Sequence, residues 1–182
     1  MVMFCNFNKC ISLMNTWRKL WVQHVMWTRS FVISTASDLG DLDFVTQRLM
    51  QNPGDMAEVI RPFYGNQTAA TFQRLFTEHL SIAAKLVNAA KAGDTESVAE
   101  LEEKWYQNAD EIAAFLAAVN RYWNKQQWQD FLHSHLKMTK SEAVYRLSGK
   151  YADDIMTYDK IEREALQMAD YMTIGMAHQF RL

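Results

Sequence analysis

Three histidines of this chain stand in one repeated phrase. It reads Trp17-x-x-Leu20-Trp21-x-x-His24, then Phe72-x-x-Leu75-Phe76-x-x-His79, then Trp128-x-x-Phe131-Leu132-x-x-His135. The histidines lie 55 and 56 residues apart. Four residues after each comes a small residue: Thr28, Ala83 and Thr139. Neutral imidazole carries protons near neutral pH and is the commonest side-chain ligand of transition metals. Carboxylates placed level with these rings would complete a metal or acid–base site inside a helical bundle.

Helix rise selects the carboxylates. His24, His79 and His135 precede the turn residues Gly40, Gly93 and Gly149 by 16, 14 and 14 positions. At 1.5 Å per residue each ring sits roughly 21–24 Å from its turn, so all three have similar heights. Asp55 and Asp110 follow their glycines by 15 and 17 residues, which puts them level with the rings across each hairpin. Asp170 lies about 10 Å too far along on the same rise, and Glu162 is the better-levelled carboxylate of the third hairpin. The candidate metal-ligating set is therefore His24, His79, His135, Asp55, Asp110 and Glu162, and a divalent transition metal is the cofactor it would take. The competing reading makes each histidine a core residue that bonds only within its own hairpin. Leaving a buried imidazole unbonded would cost on the order of 1–3 kcal/mol. No Glu stands three residues before any His, so the di-iron bundle signature is missing and any ion would be held by residues distant in sequence. P-loop and Gly-x-Ser-x-Gly motifs are absent as well, so nothing in the sequence provides for nucleotide binding or serine catalysis.

The elements that must carry these residues are helical. Apolar residues recur with helical period almost throughout, and no stretch alternates long enough for a strand. The pattern predicts an all-α bundle of six helices in three repeated hairpins. The first helix should run from about residue 16 to 37, the second from 42 to 64 with a break at Asn52-Pro53-Gly54, and the third from 68 to 92. The remaining three are expected at about 96–119, 125–147 and 152–178. Residues 1–14 read as an N-terminal tail and 15–182 as one domain. A fixed interval of this kind is what copying one helical hairpin produces.

Composition narrows the class. The chain has 182 residues, 49% hydrophobic and 13% aromatic, a formal net charge of −2, two prolines and six glycines. Such a chain is long and apolar enough to fold around its own core. Without a basic field it is not expected to bind nucleic acid or an anionic membrane surface. The apolar run 20–36 carries Gln23, His24 and Arg29, which a membrane span would tolerate poorly. Cys5 and Cys10 form no CxxC pair and read as reduced thiols of a cytoplasmic protein.

Several phrases resemble a group of short bacterial all-helical proteins with no established activity. They are Leu20-Trp-Val-Gln-His-Val-Met-Trp-Thr-Arg29, Asn52-Pro-Gly-Asp55, Phe63-Tyr-Gly65, Thr77-Glu-His-Leu80, Leu86-Val-Asn-Ala-Ala-Lys91, Lys104-Trp-Tyr-Gln-Asn-Ala-Asp-Glu-Ile-Ala-Ala-Phe115 and Met168-Ala-Asp170. The resemblance spans about residues 16–180. Some members carry the label acetylglutamate kinase, yet an amino-acid kinase of that family is a longer α/β protein with glycine-rich ATP loops, which this chain lacks. Two functions remain as expectations. One is a helical bundle whose buried His/carboxylate cluster binds a divalent metal or small ligand. The other is a non-enzymatic structural or interaction module, a homodimer using the aromatic-rich surface around Trp105, Trp123 and Trp128.

Overall fold

The computed structural model describes residues 7–182. Cys5 and the first six residues of the expected tail lie outside it. The described residues are all-helical, with no strand among them. Five helices follow in order: α1 Phe7–Ala36, α2 Leu42–Ala92, α3 Thr95–Val119, α4 Lys125–Leu147 and α5 Tyr151–Phe180.

The turns fall where the local chemistry put them. Asp94 caps α3 by accepting from the Ser97 N–H (3.0 Å), and Asn124 caps α4 by accepting from the Gln127 N–H (3.0 Å). The helix count differs from the expected six. No break occurs at Asn52-Pro53-Gly54: α2 runs 51 residues, and the residue inside it with non-helical angles is Gly65 (φ 84, ψ 171). Proline inside a helix removes one backbone bond and crowds the carbonyl four residues back, but its φ is already helical. Here the segment is held by burial of Asn52, Pro53, Met56, Ala57 and Ile60. Gly65 adopts a positive φ that L side chains resist, so it divides α2 into two arms, 42–64 and 66–92. At the other end, α1 starts nine residues before the expected Thr16, and Leu13 is part of the core.

Packing neighbours form a closed ring: α1 on α2, α2 on α3, α3 on α4, α4 on α5, and α5 back on α1. Inside the ring, α1 and the second arm of α2 run parallel, because their contacts advance in step: Trp17 meets Phe72 (ring centroids 6.4 Å) and Trp21 meets Phe76 (6.2 Å). His24 of α1 meets His135 of α4 (5.9 Å), so α4 joins them. The outer helices lie against this trio. Trp17 and Trp21 donate their indole N–H groups to the Met176 and Met172 sulfurs of α5 (3.3 and 3.4 Å). The core is built largely of buried rings, including Trp17, Trp21, Trp123, Trp128, Phe72 and Phe76.

One contact on α5 is unusually close. A Cβ built on Gly175 would stand 2.0 Å from Nε1 of Trp123, whose indole is buried and donates to the Tyr171 carbonyl (3.2 Å). The indole cannot yield without losing that bond. Gly175→Ala is therefore expected to destabilise the fold by about 1–3 kcal/mol, the usual range for overpacking, although alanine is the better helix former. A denaturant melt checks it, and an unchanged or raised midpoint would refute the packing argument.

A candidate histidine site in the bundle core

His24, His79 and His135 lie on the buried stripes of α1, the second arm of α2, and α4, each 3% exposed. Two of them are braced identically. His24 Nδ1 lies 3.1 Å from Asn52 Oδ1, and Asn52 Nδ2 donates to the Leu20 carbonyl (3.0 Å). His79 Nδ1 lies 2.8 Å from Asn108 Oδ1, and Asn108 Nδ2 donates to the Leu75 carbonyl (3.2 Å). In both cases the receiving carbonyl belongs to the residue four before the histidine, one helical turn back.

These chains fix the tautomers. A carbonyl only accepts, so it must face the amide nitrogen of the asparagine; Oδ1 is then left to face the imidazole. Nδ1 of each ring therefore carries the proton and donates, and Nε2 carries the lone pair. The rings stay neutral. Burial pushes the His24 pKa down to about 3, with further lowering from the neighbouring His135 and His79. Burial pushes His79 down to about 4 against the pull of its Asn108 bond, and His135 adds to the lowering. The three rings are thus close enough for a proton on one to disfavour a proton on another.

The third position is built differently. Glu164 of α5 stands where the asparagines stand, 29 residues after its histidine as Asn108 is after His79. Its Oε2 lies 3.7 Å from His135 Nδ1, too long for a hydrogen bond. Both atoms are buried without a hydrogen-bond partner.

The carboxylates selected by height are elsewhere. Asp55 is half exposed beside Arg48 (3.6 Å). Asp110 accepts from Gln129 (3.0 Å) and pairs with His133 (2.8 Å) at the surface. Glu162 is half-buried on α5, near Tyr158, whose hydroxyl pKa is raised first by burial and then by that carboxylate. The structure brings the His24 and His135 rings together (5.9 Å) and places Asn52 beside His24, Asn108 beside His79 and Glu164 beside His135. Among the described residues, no three His, Cys, Asp or Glu side chains are gathered as a ready cation site.

A second buried polar cluster lies further along α1 and α4. Arg29 Nη1 donates to both Glu142 and Asp154 (2.6 Å each), and Arg146 reaches Asp154 at 3.4 Å. The Arg29 guanidinium also sits over the Tyr158 ring (4.8 Å to its centroid). Burial pushes the Glu142 carboxyl up to about 7 in spite of Arg29. Among the described residues, no helix is long and apolar enough to cross a membrane. Compared with protein-family models, curated proteins and solved structures, the chain matches none.

Proposed function

We propose that the protein is a metal-binding bundle in which His24, His79 and His135 take up one first-row divalent ion. The observation that carries this reading is the asparagine brace. Metal-bound histidines are held the same way: the far ring nitrogen donates to a fixed acceptor, which sets the tautomer and aims the other nitrogen at the ion. Rings that stay neutral down to pH 3–4 keep their lone pairs free of protons in the range where ligands must be deprotonated. With imidazole–metal bonds of about 2.0–2.1 Å, two rings on one ion have centroids roughly 5–5.5 Å apart. The His24–His135 separation of 5.9 Å needs a movement of less than about one ångström. That movement would give the unpartnered Glu164 and His135 Nδ1 a reason to close their gap. The six helical segments and the recurring phrase also fit three copies of one hairpin, each supplying one ring.

A second reading has its own support: two asparagine chains that close on backbone carbonyls, and no gathered three-ligand group. On that reading the histidines only satisfy the core of a non-enzymatic module; Trp105, Trp123 and Trp128, expected at a homodimer surface, are buried in that core and offer no such surface.

Cobalt(II) separates the two. Untagged, metal-free protein is expected to bind one equivalent with the visible bands of a low-coordinate Co–imidazole site. The melting temperature should rise; at a hundredfold excess over Kd the gain is about 2.7 kcal/mol. His79→Ala should abolish the bands. Asn108→Ala should weaken binding by roughly 10- to 100-fold, the usual loss for a supporting partner of a ligand. A wild-type protein with neither bands nor a shifted melt rules the metal out.

A further inference from the structure

We infer that the core binds one water molecule between α3 and α4, one helical turn beyond the histidine layer, held by the Trp105 indole N–H and the Thr139 hydroxyl. The inference starts from two stranded polar atoms. Trp105 and Thr139 are 3% and 5% exposed, and neither Trp105 Nε1 nor Thr139 Oγ1 has a hydrogen-bond partner within the protein. Buried polar groups are nearly always bonded, either to the chain or to an ordered water. Thr139 also had a local outlet that it does not use. Thr28 stands at the same point of the repeated phrase, four residues after a histidine. Its hydroxyl turns back to the His24 carbonyl (2.8 Å), a common arrangement inside helices. The Thr139 hydroxyl makes no such bond to His135.

For Trp105 and Thr139 the structure also supplies the space. Both line one cavity of about 20 Å³, with Thr28, Leu80 and Ala83 among its other walls. On the same measure a single water needs roughly 10–15 Å³, so the space holds one water and nothing larger. A buried water needs at least two polar partners. The indole N–H donates to its oxygen, and the threonine hydroxyl accepts from it or donates to it. An apolar occupant would leave both polar atoms unpaired in the core, the costly outcome. An ion would lose its hydration shell without a compensating charge, because Lys140, which also lines the cavity, sends its ammonium to Glu102. The site adjoins the histidine layer on two sides. The Trp105 ring packs on His79 (centroids 5.4 Å apart), and Thr139 follows His135 by one turn of α4. The inference concerns the metal-free chain and does not depend on an ion being bound.

Oxygen-17 relaxation dispersion on the metal-free, 182-residue protein tests it, because the method counts waters held longer than the protein takes to tumble. Thr139→Val keeps the side-chain shape and removes the hydroxyl, and Ala83→Val fills the space. Each variant is expected to hold one long-lived water fewer than the wild type. The melting temperature of Thr139→Val gives a second readout with opposite signs for the two cases. If the hydroxyl holds a water, its removal strands the Trp105 N–H and the melt falls. If the hydroxyl is simply unpaired, its removal relieves the core and the melt rises. An unchanged water count in both variants overturns the inference, and so does a Thr139→Val protein that melts higher than the wild type. Cobalt binding is read separately, so failure of either result leaves the other standing.

Discussion

Arg29→Met is expected to destabilise the protein by about 3–5 kcal/mol, the largest effect of any single substitution considered. Glu142 and Asp154 are 1% and 0% exposed, and one guanidinium nitrogen of Arg29 bonds both at 2.6 Å. Removing it leaves Arg146, whose contact reaches Asp154 at 3.4 Å. Methionine keeps the volume and removes the charge, so the loss is electrostatic and not a cavity. Breaking a buried ion pair from one side typically has this cost because the remaining charge is stranded. For a chain of this length it corresponds to a melting point lower by roughly 10 °C. The double variant Arg29→Met/Glu142→Gln should lose about as much, since without Arg29 burial pushes the Glu142 carboxyl further up and leaves Asp154 as the stranded charge. Urea melts of the three proteins decide the matter. A single variant within about 1 kcal/mol of wild type would mean that the cluster is hydrated and weak.

Acidification from pH 7 to pH 5 is expected to cost stability even though no surface group need change. His24 and His79 have folded pKa values of about 3 and about 4, against about 6.5 when unfolded. The unfolded chain therefore binds more protons across this window, so stability falls as pH falls below about 6.5. At pH 5 each histidine contributes a loss of roughly 2 kcal/mol. Glu142 acts the other way. Its folded pKa of about 7 lies above the unfolded value, so the folded chain takes up the proton first and gains roughly 2 kcal/mol between pH 7 and 5. The net expectation is a loss of about 2 kcal/mol for the wild type. Glu142→Gln should steepen that loss to roughly twice as much by removing the opposing carboxyl. Denaturant midpoints at the two pH values check both slopes. A wild type as stable at pH 5 as at pH 7, with Glu142→Gln no steeper, would show that neither the inner histidines nor Glu142 binds protons differently in the folded and unfolded chain.

Turns and helical faces were legible because their signals are local. Asp94 and Asn124 cap helices where a short polar residue precedes an apolar run. Pro53 misled because its effect on a helix is set by what the neighbouring residues bury, and that is not a local property. The meeting of His24 and His135 was legible from the repeated phrase, since equal spacing on parallel helices produces equal height. Their partners were not. Rise along a helix gives height but not direction, and Glu164 is two residues from Glu162, a rotation of about 200° that reverses the face presented. Asn52 and Asn108 stand three and two residues ahead of Asp55 and Asp110, but a neutral amide carries no formal charge to single it out. The Arg29 cluster joins α1, α4 and α5, and each of its members read alone looks like an ordinary surface charge.

The closed ring of helix neighbours has a topological corollary. Because α5 returns to pack on α1, no helix is an end member of the stack, and each is supported on both flanks. Connectivity and architecture are then decoupled: the order in which the chain visits the helices is one of several that would wind the same closed circuit. Loss of any one wall would open that circuit to solvent from the side, so the bundle is expected to come apart as a whole and not to fray from its termini inward.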